Sequence, residues 1–337
     1  MIDISAENVA LWSRISSRKT FGLVLDELAC EYPDLMVLVA DVADSAGLGD
    51  FEKNHPDQFL NVGIAEQNMT AIAAGLAKSG YQVFAVSFAP FASMRCFEVL
   101  RTYLGYMNLN VTVVGIASGL SMGTAGNTHY GLEDLALART IPNMTVVSPA
   151  DCTETAKAVE ALLEHKGPAY LRLTGVNGNQ PVYKENYDFR LGRATKVREG
   201  TDVAIVATGT MVYESLRATR KLQKDGISCT IIDMSTVKPL DEKILEEVFD
   251  SHRLVVTIEE HTVIGGLGSA VAEYKARYNK DTRLEMMGLP DSFGKAGTYA
   301  WLLDYHKLSA RHIADRITDR SEERRVGKEC RSRWSPY

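Results

Sequence analysis

The sequence predicts two α/β domains, each a mostly parallel sheet flanked by helices, and three observations lead to this fold class. Short apolar runs rich in β-branched residues alternate with longer amphipathic stretches, as strands alternate with crossover helices in parallel sheets. A polar stretch at residues 175–192 interrupts the alternation, which then resumes. The 337 residues are enough for two domains, each with its own buried core.

In the first half of the chain, four apolar runs are predicted to be strands. They are LMVLVA at 35–40, YQVFAVSF at 81–88, VTVVGI at 111–116 and AYLRL at 169–173. Stretches of helical period include FGLVLDELACEY, AEQNMTAIAAGLAKSG and TETAKAVEALLEH, and Gly80 is suited to cap the second of them. After the polar stretch, DVAIVATG, SCTIIDM and LVVTIEE repeat the pattern. We therefore assign residues 1–180 to one domain, 181–194 to a linker and 195–319 to a second domain.

The last eighteen residues, 320–337, show neither the helical nor the strand period and carry six basic and three acidic residues. The string resembles the in-frame translation of a common sequencing adapter, so we expect it to be an artefactual tail. A basic tail that binds an acidic partner is the alternative. We assign no function to Cys330 or Trp334, which lie in this segment.

Composition excludes several classes of function. The formal charge of −6 argues against a nucleic-acid partner, because phosphate contacts require a basic face. The five cysteines are far apart and form no CxxC pair, so neither a disulfide framework nor a zinc site is indicated. The chain has no apolar run near the roughly 20 residues that span a bilayer, and no signal-peptide pattern. We expect a cytoplasmic protein without a membrane or nucleic-acid partner.

Three groups of chemically capable side chains follow predicted strands. Glu66 lies where a short strand gives way to a small-residue helix, Phe88 and Phe91 follow an apolar strand, and His129 lies in a glycine-rich loop. Taken singly, each has a commoner structural explanation, as a helix-dipole partner, a core aromatic or a loop histidine. Ligands of parallel sheets bind at the carboxyl ends of strands, so the three together predict one ligand site.

Seven segments of the sequence together carry a resemblance to a known protein family. ADVADSAGLGDF, FLNVGIAEQNMTAIAAGLA, SFAPFASMRCFEVLR and GNTHYGLEDLALARTIPNMTVVSPAD resemble, in order and spacing, the transketolase pyrimidine-binding domain. VAIVATGTMVYES, IEEHTVIGGLGSAVAE and GLPDSFGKAG are similar to the transketolase C-terminal domain. The likeness covers residues 17–319 and is of the type seen in the C-terminal subunit of a split, two-gene transketolase.

The resemblance implies a transferase that moves a two-carbon ketol unit from a ketose donor to an aldehyde acceptor through a thiamine diphosphate carbanion. Full-length transketolases hold the cofactor's diphosphate through Mg²⁺ in an N-terminal domain with a GDG motif, and this sequence contains no GDG. We therefore expect a separate N-terminal subunit to supply the Mg²⁺ ligands, with weak cofactor binding by this chain alone. Homodimerisation of this chain within a heterotetramer is also implied.

Catalytic roles are implied by the same resemblance. The Glu66 carboxyl would hydrogen-bond a pyrimidine nitrogen of thiamine diphosphate and promote the imino form that removes the thiazolium proton. This role needs a carboxyl that holds a proton near neutrality, which burial against apolar neighbours favours. Phe88 and Phe91 match the aromatic pair against which the aminopyrimidine stacks.

Substrate contacts are implied in the same way. Asp41 and Ser45 match positions that line the thiazolium and substrate channel, and His129 matches a histidine near the pyrimidine amino group and the substrate oxygens. Arg95 and Arg172 are cationic candidates for the substrate. Arg172 lies within a predicted strand, so a structural ion pair is the alternative for it.

Departures from the family pattern bear on the substrate. Ala125 stands where transketolases of sugar phosphates usually have an aspartate, Ala117 where they often have a histidine, and Gly175 where they have an arginine. We expect an unusual sugar, nucleotide-linked or otherwise modified, in place of a central pentose phosphate. The identity of the donor and the acceptor stays open.

Other functions remain as alternatives. The β subunit of a 2-oxoacid dehydrogenase and a deoxyxylulose-phosphate synthase-like enzyme share both domains, although the loop GNTHYGLEDLALART favours transketolase. A catalytically silent scaffold is a further alternative, against which the retention of Glu66, Phe91 and His129 weighs. Glu259, Glu260 and His261 also follow a predicted strand as an acid/base cluster, but the resemblance places their domain away from the reacting carbons, so a structural role is expected.

Overall fold

The computed structural model describes residues 2–174 and 180–332, and describes side chains of the last helix as far as residue 321. Three sequence predictions therefore fall outside the described residues. They concern Gly175, the first part of the polar stretch at 175–179, and Trp334 with the other residues at 333–337. The side chain of Cys330 is likewise outside the described set.

The first sheet is parallel except at one edge. Among the described residues its strands are β1 Leu35–Val39, β2 Phe59–Asn61, β3 Gln82–Phe88, β4 Val111–Ile116, β5 Thr145–Val147, β6 Ala169–Leu173 and β10 Thr236–Lys238. The spatial order is β10-β5-β6-β4-β3-β1-β2, and only β10 runs antiparallel to its neighbour. The four long runs predicted from the sequence are strands here, and three further strands are only three residues long.

The second sheet repeats this design on a smaller scale. It contains β7 Thr195–Arg198, β8 Val203–Ala207, β9 Cys229–Asp233, β11 Leu254–Thr262 and β12 Arg283–Leu289. Their order is β12-β11-β8-β9-β7, with β7 antiparallel to β9 at one edge. Strand β10 follows β9 in sequence yet pairs with β5, so the second half of the chain contributes one strand to the first sheet.

Helices cover both sheets. In the first half they are α1 Ala6–Trp12, α2 Ser17–Leu28, α3 Ala43–Ala46, α4 Gly49–Asn54, α5 Glu66–Lys78, α6 Phe97–Val99, α7 Asp134–Thr140 and α8 Cys152–Glu164. In the second half they are α9 Met211–Lys224, α10 Glu242–Ser251, α11 Leu267–Arg277, α12 Tyr299–Tyr305 and α13 Ala310–Ser332. Within the described residues, no helix has the combination of length and apolar character needed to cross a bilayer.

Local sequence explains where several helices begin and end. The side chains of Ser16 and Asp151 accept hydrogen bonds from backbone N–H groups in the first turns of α2 and α8, which satisfies donors that have no partner within the helix. Helix α5 ends at Lys78, and Gly80 two residues later has a φ of 102°. A left-handed residue after a helix is strained unless it is glycine, so the predicted cap at Gly80 is confirmed.

A cluster of buried acids and tyrosines ties the linker to both sheets. Asp151, at the start of α8, accepts hydrogen bonds from the backbone N–H groups of Val182 (2.6 Å) and Tyr183 (2.8 Å) in the linker. The hydroxyl of Tyr187 donates to Glu154 (2.8 Å), and that of Tyr183 donates to Asp233 at the end of β9 (2.7 Å).

The two carboxyls of this cluster, Glu154 and Asp233, are both fully buried and close to each other. Burial raises the pKa of Glu154 to about 7 and that of Asp233 well above its ordinary value, and the neighbouring acids add to both shifts. In the folded protein, these two carboxyls therefore retain protons that they would release in an unfolded chain.

Candidate active site

Strands β1 to β4 are parallel, so their carboxyl ends meet at one edge of the first sheet, where the sequence places its candidate residues. Glu66 is the first residue of α5 and its side chain is only 4% exposed. Its carboxyl accepts a hydrogen bond from Nη1 of Arg95 at 2.7 Å. Within the described residues, no second donor contacts this carboxyl. The side chain of Arg95 is 46% exposed.

Three rings pack beside this ion pair. Phe88 ends β3, Phe91 begins the π-helical turn Phe91–Arg95, and their ring centroids are 6.3 Å apart in a perpendicular arrangement. The ring of His129 lies 5.6 Å from Phe91 and 6.4 Å from Phe88. The guanidinium carbon of Arg95 lies 4.3 Å from the centroid of Phe91. An acid, an aromatic platform and a histidine from three separate loops are thus neighbours at this edge.

Asp41 and Ser45 lie on the loop and short helix that follow β1. Asp41 has a φ of 58°, and its backbone N–H donates to Oδ1 of Asn61 at 3.1 Å. The same Oδ1 accepts the N–H of Gly63 at 3.0 Å, so Asn61 joins the end of β1 to the loop that leads to Glu66. Ser45 is exposed. Neither Asp41 nor Ser45 is in hydrogen-bond contact with Glu66 in the described part of the chain.

Residues in the second half of the chain form hydrogen bonds that fix the position of the loop that carries His129. Asn127 exchanges two hydrogen bonds with Gly294, donating to its carbonyl at 2.8 Å and accepting from its N–H at 3.1 Å. The hydroxyl of Tyr130 lies 3.1 Å from the carbonyl oxygen of Lys295. The position of His129 therefore depends on contacts with residues more than 160 positions later in the sequence.

Glu260 fixes the base of the same loop. Its buried carboxyl accepts hydrogen bonds from the N–H of Leu120 (2.6 Å), the hydroxyl of Thr210 (2.7 Å) and the hydroxyl of Tyr299 (2.6 Å). Burial raises the pKa of Glu260, although these hydrogen bonds oppose the shift. Gly119 has a φ of 65°, and a Cβ there would come within 2.2 Å of the Glu260 carboxyl, so only glycine fits.

Arg172 does not reach the candidate site, and the expectation that it contacts a substrate is corrected. Its side chain is 1% exposed, and its Nε donates to both carboxylate oxygens of Asp134 at 2.9 and 3.1 Å. Its Nη2 donates to the backbone carbonyls of Gly131 (3.0 Å) and Glu260 (2.9 Å). A guanidinium committed to these partners has no free face for a sugar, so Arg172 joins the two halves of the chain.

Glu259 and His261 are buried beside this ion pair. The carboxyl of Glu259 accepts the N–H groups of Leu267 (2.7 Å) and Gly268 (2.8 Å) at the start of α11. Burial raises its pKa to about 7, and these bonds oppose the shift. Burial lowers the pKa of His261 to about 4, so its ring is neutral at physiological pH and accepts the N–H of Ala136 at 3.3 Å. Both side chains serve backbone groups within the fold.

The two alanines that mark departures from the family pattern occupy different environments. Ala117 directly follows β4, is 1% exposed and has a φ of 52°. Ala125 is exposed on the same glycine-rich loop as His129. A methyl group supplies neither charge nor a hydrogen bond, so neither position can recognise a substrate hydroxyl or phosphate through its side chain.

Two features of this edge are not apparent from sequence reasoning. The first is the amide of Asn61, whose only sequence signal is its place at the end of the short strand β2. The second is Gln67, whose Nε2 donates to the backbone carbonyl of Arg95 at 3.0 Å and so anchors the turn that carries it. Across residues 2–174 and 180–332, no three His, Cys, Asp or Glu side chains are grouped so that they could hold a metal ion.

Comparison with known proteins identifies relatives over most of the chain. Residues 13–179 match the model of the transketolase pyrimidine-binding domain, and residues 192–313 match that of the transketolase C-terminal domain. A Methanocaldococcus jannaschii protein whose name describes it as a transketolase C-terminal section is 41% identical over 304 residues, which are 90% of this chain and 95% of that protein.

Two further relatives are similar over almost their whole length. A 6-deoxy-6-sulfo-D-fructose transketolase subunit of Clostridium is 37% identical, with 91% of this chain and 96% of that subunit covered. A solved structure described as a split-gene transketolase in an inactive β4 tetramer superposes with a TM-score of 0.82 and 39% identity, over 91% of this chain and 98% of that one.

Proposed function

The chain belongs to the transketolase family, and from this premise we propose that it is the C-terminal subunit of a two-chain transketolase. Such an enzyme transfers a two-carbon ketol unit from a ketose donor to an aldehyde acceptor. The observation that supports this function most strongly is the grouping of Glu66, Phe91 and His129 at one edge of the first sheet. A site with an acid, a flat aromatic face and an imidazole suits a planar, nitrogen-containing ring.

Family membership implies that the activity depends on thiamine diphosphate, which when bound supplies the electron sink for breaking and forming carbon–carbon bonds. The residues present fit the pyrimidine half of this cofactor. The Glu66 carboxyl is buried and has one described hydrogen-bond partner, Arg95, whose guanidinium lies over the face of Phe91. That face already accommodates one planar group, the guanidinium of Arg95.

Each side chain of this edge has a proposed task. The carboxyl of Glu66 holds a proton against a ring nitrogen of the cofactor, and its burial excludes water from that contact. Phe91, with Phe88 beside it, supports the ring by stacking. His129 stabilises charge or moves a proton at the substrate oxygens. Asp41 and Ser45, which follow β1, line the channel to the reacting carbons.

A partner chain completes this site. We assign the diphosphate and its Mg²⁺ to a separate N-terminal subunit, since relatives of this chain are described as a C-terminal section, a subunit and a split-gene product. Homodimers of this chain would combine with that subunit into a heterotetramer. The substrates are sugars that Ala117 and Ala125 do not contact through charge or hydrogen bonds, which favours a sugar other than a common pentose phosphate.

The function is tested by mixing this chain with the N-terminal subunit and measuring how fast the assembly exchanges the thiazolium ring proton of thiamine diphosphate for deuterium. This measurement needs no knowledge of the sugar. Glu66→Gln should slow the exchange by about 10²–10⁴-fold, because the variant cannot hold and release the proton. Glu98→Gln, at an exposed glutamate in the short helix α6, is the matched control and should exchange at the unaltered rate.

Two outcomes would contradict the proposal. Equal exchange by Glu66→Gln and the unaltered protein would remove Glu66 from the chemistry. Cofactor binding that is as tight to this chain alone as to the mixture, measured by calorimetry with Mg²⁺, would show that no partner is needed.

A further inference from the structure

The guanidinium of Arg95 contacts the carboxyl of Glu66 and the ring of Phe91, the two groups that the proposed function assigns to cofactor binding. Its Nη1 donates to Oε2 of Glu66 at 2.7 Å, and its carbon lies 4.3 Å from the centroid of Phe91. A guanidinium is flat, carries N–H donors and stacks on aromatic faces, which are properties it shares with an aminopyrimidine ring. Both groups therefore compete for the same carboxyl and the same ring.

We propose that Arg95 is a placeholder for the aminopyrimidine ring, which holds Glu66 and Phe91 in the cofactor-free chain and must release both before the ring binds. This inference rests on the proposed function and adds to it a step that regulates access to the site. Two features of the structure allow the exchange, namely the exposure of the guanidinium and the anchoring of the backbone behind it.

The side chain of Arg95 can leave without disturbing the fold. It is 46% exposed, so its charge can return to water at little electrostatic cost. Its backbone stays in place, because its carbonyl accepts a hydrogen bond from Gln67 at 3.0 Å and it ends the π-helical turn that starts at Phe91. The head group can therefore move while Phe91 and Glu66 keep their positions.

The exchange also changes the charge beside Glu66. An arginine pairs with the ionised carboxylate, whereas the proposed contact to a ring nitrogen requires a carboxyl that carries a proton. Departure of the guanidinium, whose Nη1 lies 2.7 Å from this carboxyl, therefore removes a positive charge.

Removal of the guanidinium should tighten cofactor binding. We would titrate thiamine diphosphate with Mg²⁺ into the assembly of this chain with its N-terminal subunit, and measure the dissociation constant by calorimetry. Arg95→Met should bind the cofactor about tenfold more tightly, which corresponds to about 1.4 kcal/mol. The matched control is Arg101→Met, at an exposed arginine six residues later, and its dissociation constant should equal that of the unaltered assembly. A residue with only a structural role would weaken binding when replaced.

The other outcomes are equally decisive. Equal or weaker binding by Arg95→Met would overturn the placeholder, and so would a raised KM for the sugar with unchanged cofactor affinity, because Arg95 would then be a substrate contact. Failure of all variants and of the unaltered assembly to bind the cofactor would overturn the proposed function itself. If Arg95→Met does not fold, Arg95→Lys is the second test, because lysine keeps the positive charge but lacks the planar guanidinium. We expect about threefold tighter binding from it, and equal or weaker binding overturns the inference.

Discussion

Among the arginine–carboxylate pairs of the described residues, two of similar length lie in very different surroundings. At the open edge, Arg95 meets Glu66 with a side chain that is 46% exposed, and at the junction of the two halves, Arg172 meets Asp134 with both side chains at 1% exposure or less. Nη2 of Arg172 donates to two backbone carbonyls, whereas the guanidinium of Arg95 lies over an aromatic ring. The same kind of ion pair thus stabilises the fold where both side chains are buried, and can exchange partners where one of them is open to water.

The same contrast holds for the acids. Glu154, Asp233, Glu259 and Glu260 are buried against tyrosine hydroxyls or backbone N–H groups that cannot move independently of the fold. Glu66 is buried too, but its described partner is a side chain that can swing away. Burial is therefore common to all five acids, and Glu66 differs from the other four in that its partner side chain is 46% exposed.

The largest effect is expected from breaking the buried pair. Arg172→Met should lower the free energy of unfolding by about 3–5 kcal/mol, because it leaves Asp134 as a buried charge without its partner. Arg95→Met should lower it by only about 1 kcal/mol, because the guanidinium that is lost is half-exposed. Urea unfolding followed by circular dichroism measures both. Equal losses of unfolding free energy in the two variants would contradict the difference proposed between the buried pair and the half-exposed pair.

A smaller effect is expected from pH, and Glu154 and Asp233 in the buried acid–tyrosine cluster contribute to it. The unfolded carboxyls release their protons near pH 4 to 5, whereas burial raises the pKa of Glu154 to about 7 and that of Asp233 well above its ordinary value. The folded state therefore binds more protons in this range, so the free energy of unfolding should fall by about 1–3 kcal/mol as pH rises from about 5 to about 7.

The variant Glu154→Gln shows whether this slope comes from the junction. The amide does not titrate, so stability should depend less steeply on pH by about one proton, as measured by urea unfolding at several pH values. The matched control Glu98→Gln, at an exposed acid, should keep the slope of the unaltered protein. If Glu154→Gln leaves the slope of unfolding free energy against pH unchanged, the pH dependence comes from other acids.

The smallest effect is expected at the aromatic platform. Phe91→Leu should weaken thiamine diphosphate binding to the assembly with the N-terminal subunit by about 0.5–1.5 kcal/mol, the part of the contact that depends on an aromatic face. Phe97→Leu is the matched control, since Phe97 packs against the apolar core on the same segment and should affect stability without affecting affinity. Comparable losses of affinity in both variants would contradict a stacking role for Phe91.

Much of the architecture follows from the sequence by itself. The parallel strands β1, β3, β4 and β6, the helices α2, α5 and α8 and the cap at Gly80 lie where apolar period and glycine placement predict them. These features depend on interactions between residues close in sequence, which a pattern of side chains encodes directly. The family of the chain is equally readable, because its motifs are contiguous segments, and the resemblance to transketolases is confirmed.

Only the tertiary structure decided the rest. The three-residue strands β2, β5 and β10 are too short for a periodic signal, and β10 joins the sheet of the other half because Thr236 pairs with Val147. Arg95 and Arg172 are both cationic candidates in the sequence, with a structural ion pair as the alternative for Arg172, yet Arg95 pairs with Glu66 at an open edge and Arg172 is buried with Asp134. Their difference arises from chain segments brought together over 29 and 38 positions, and from the water that folding leaves beside one pair and removes from the other.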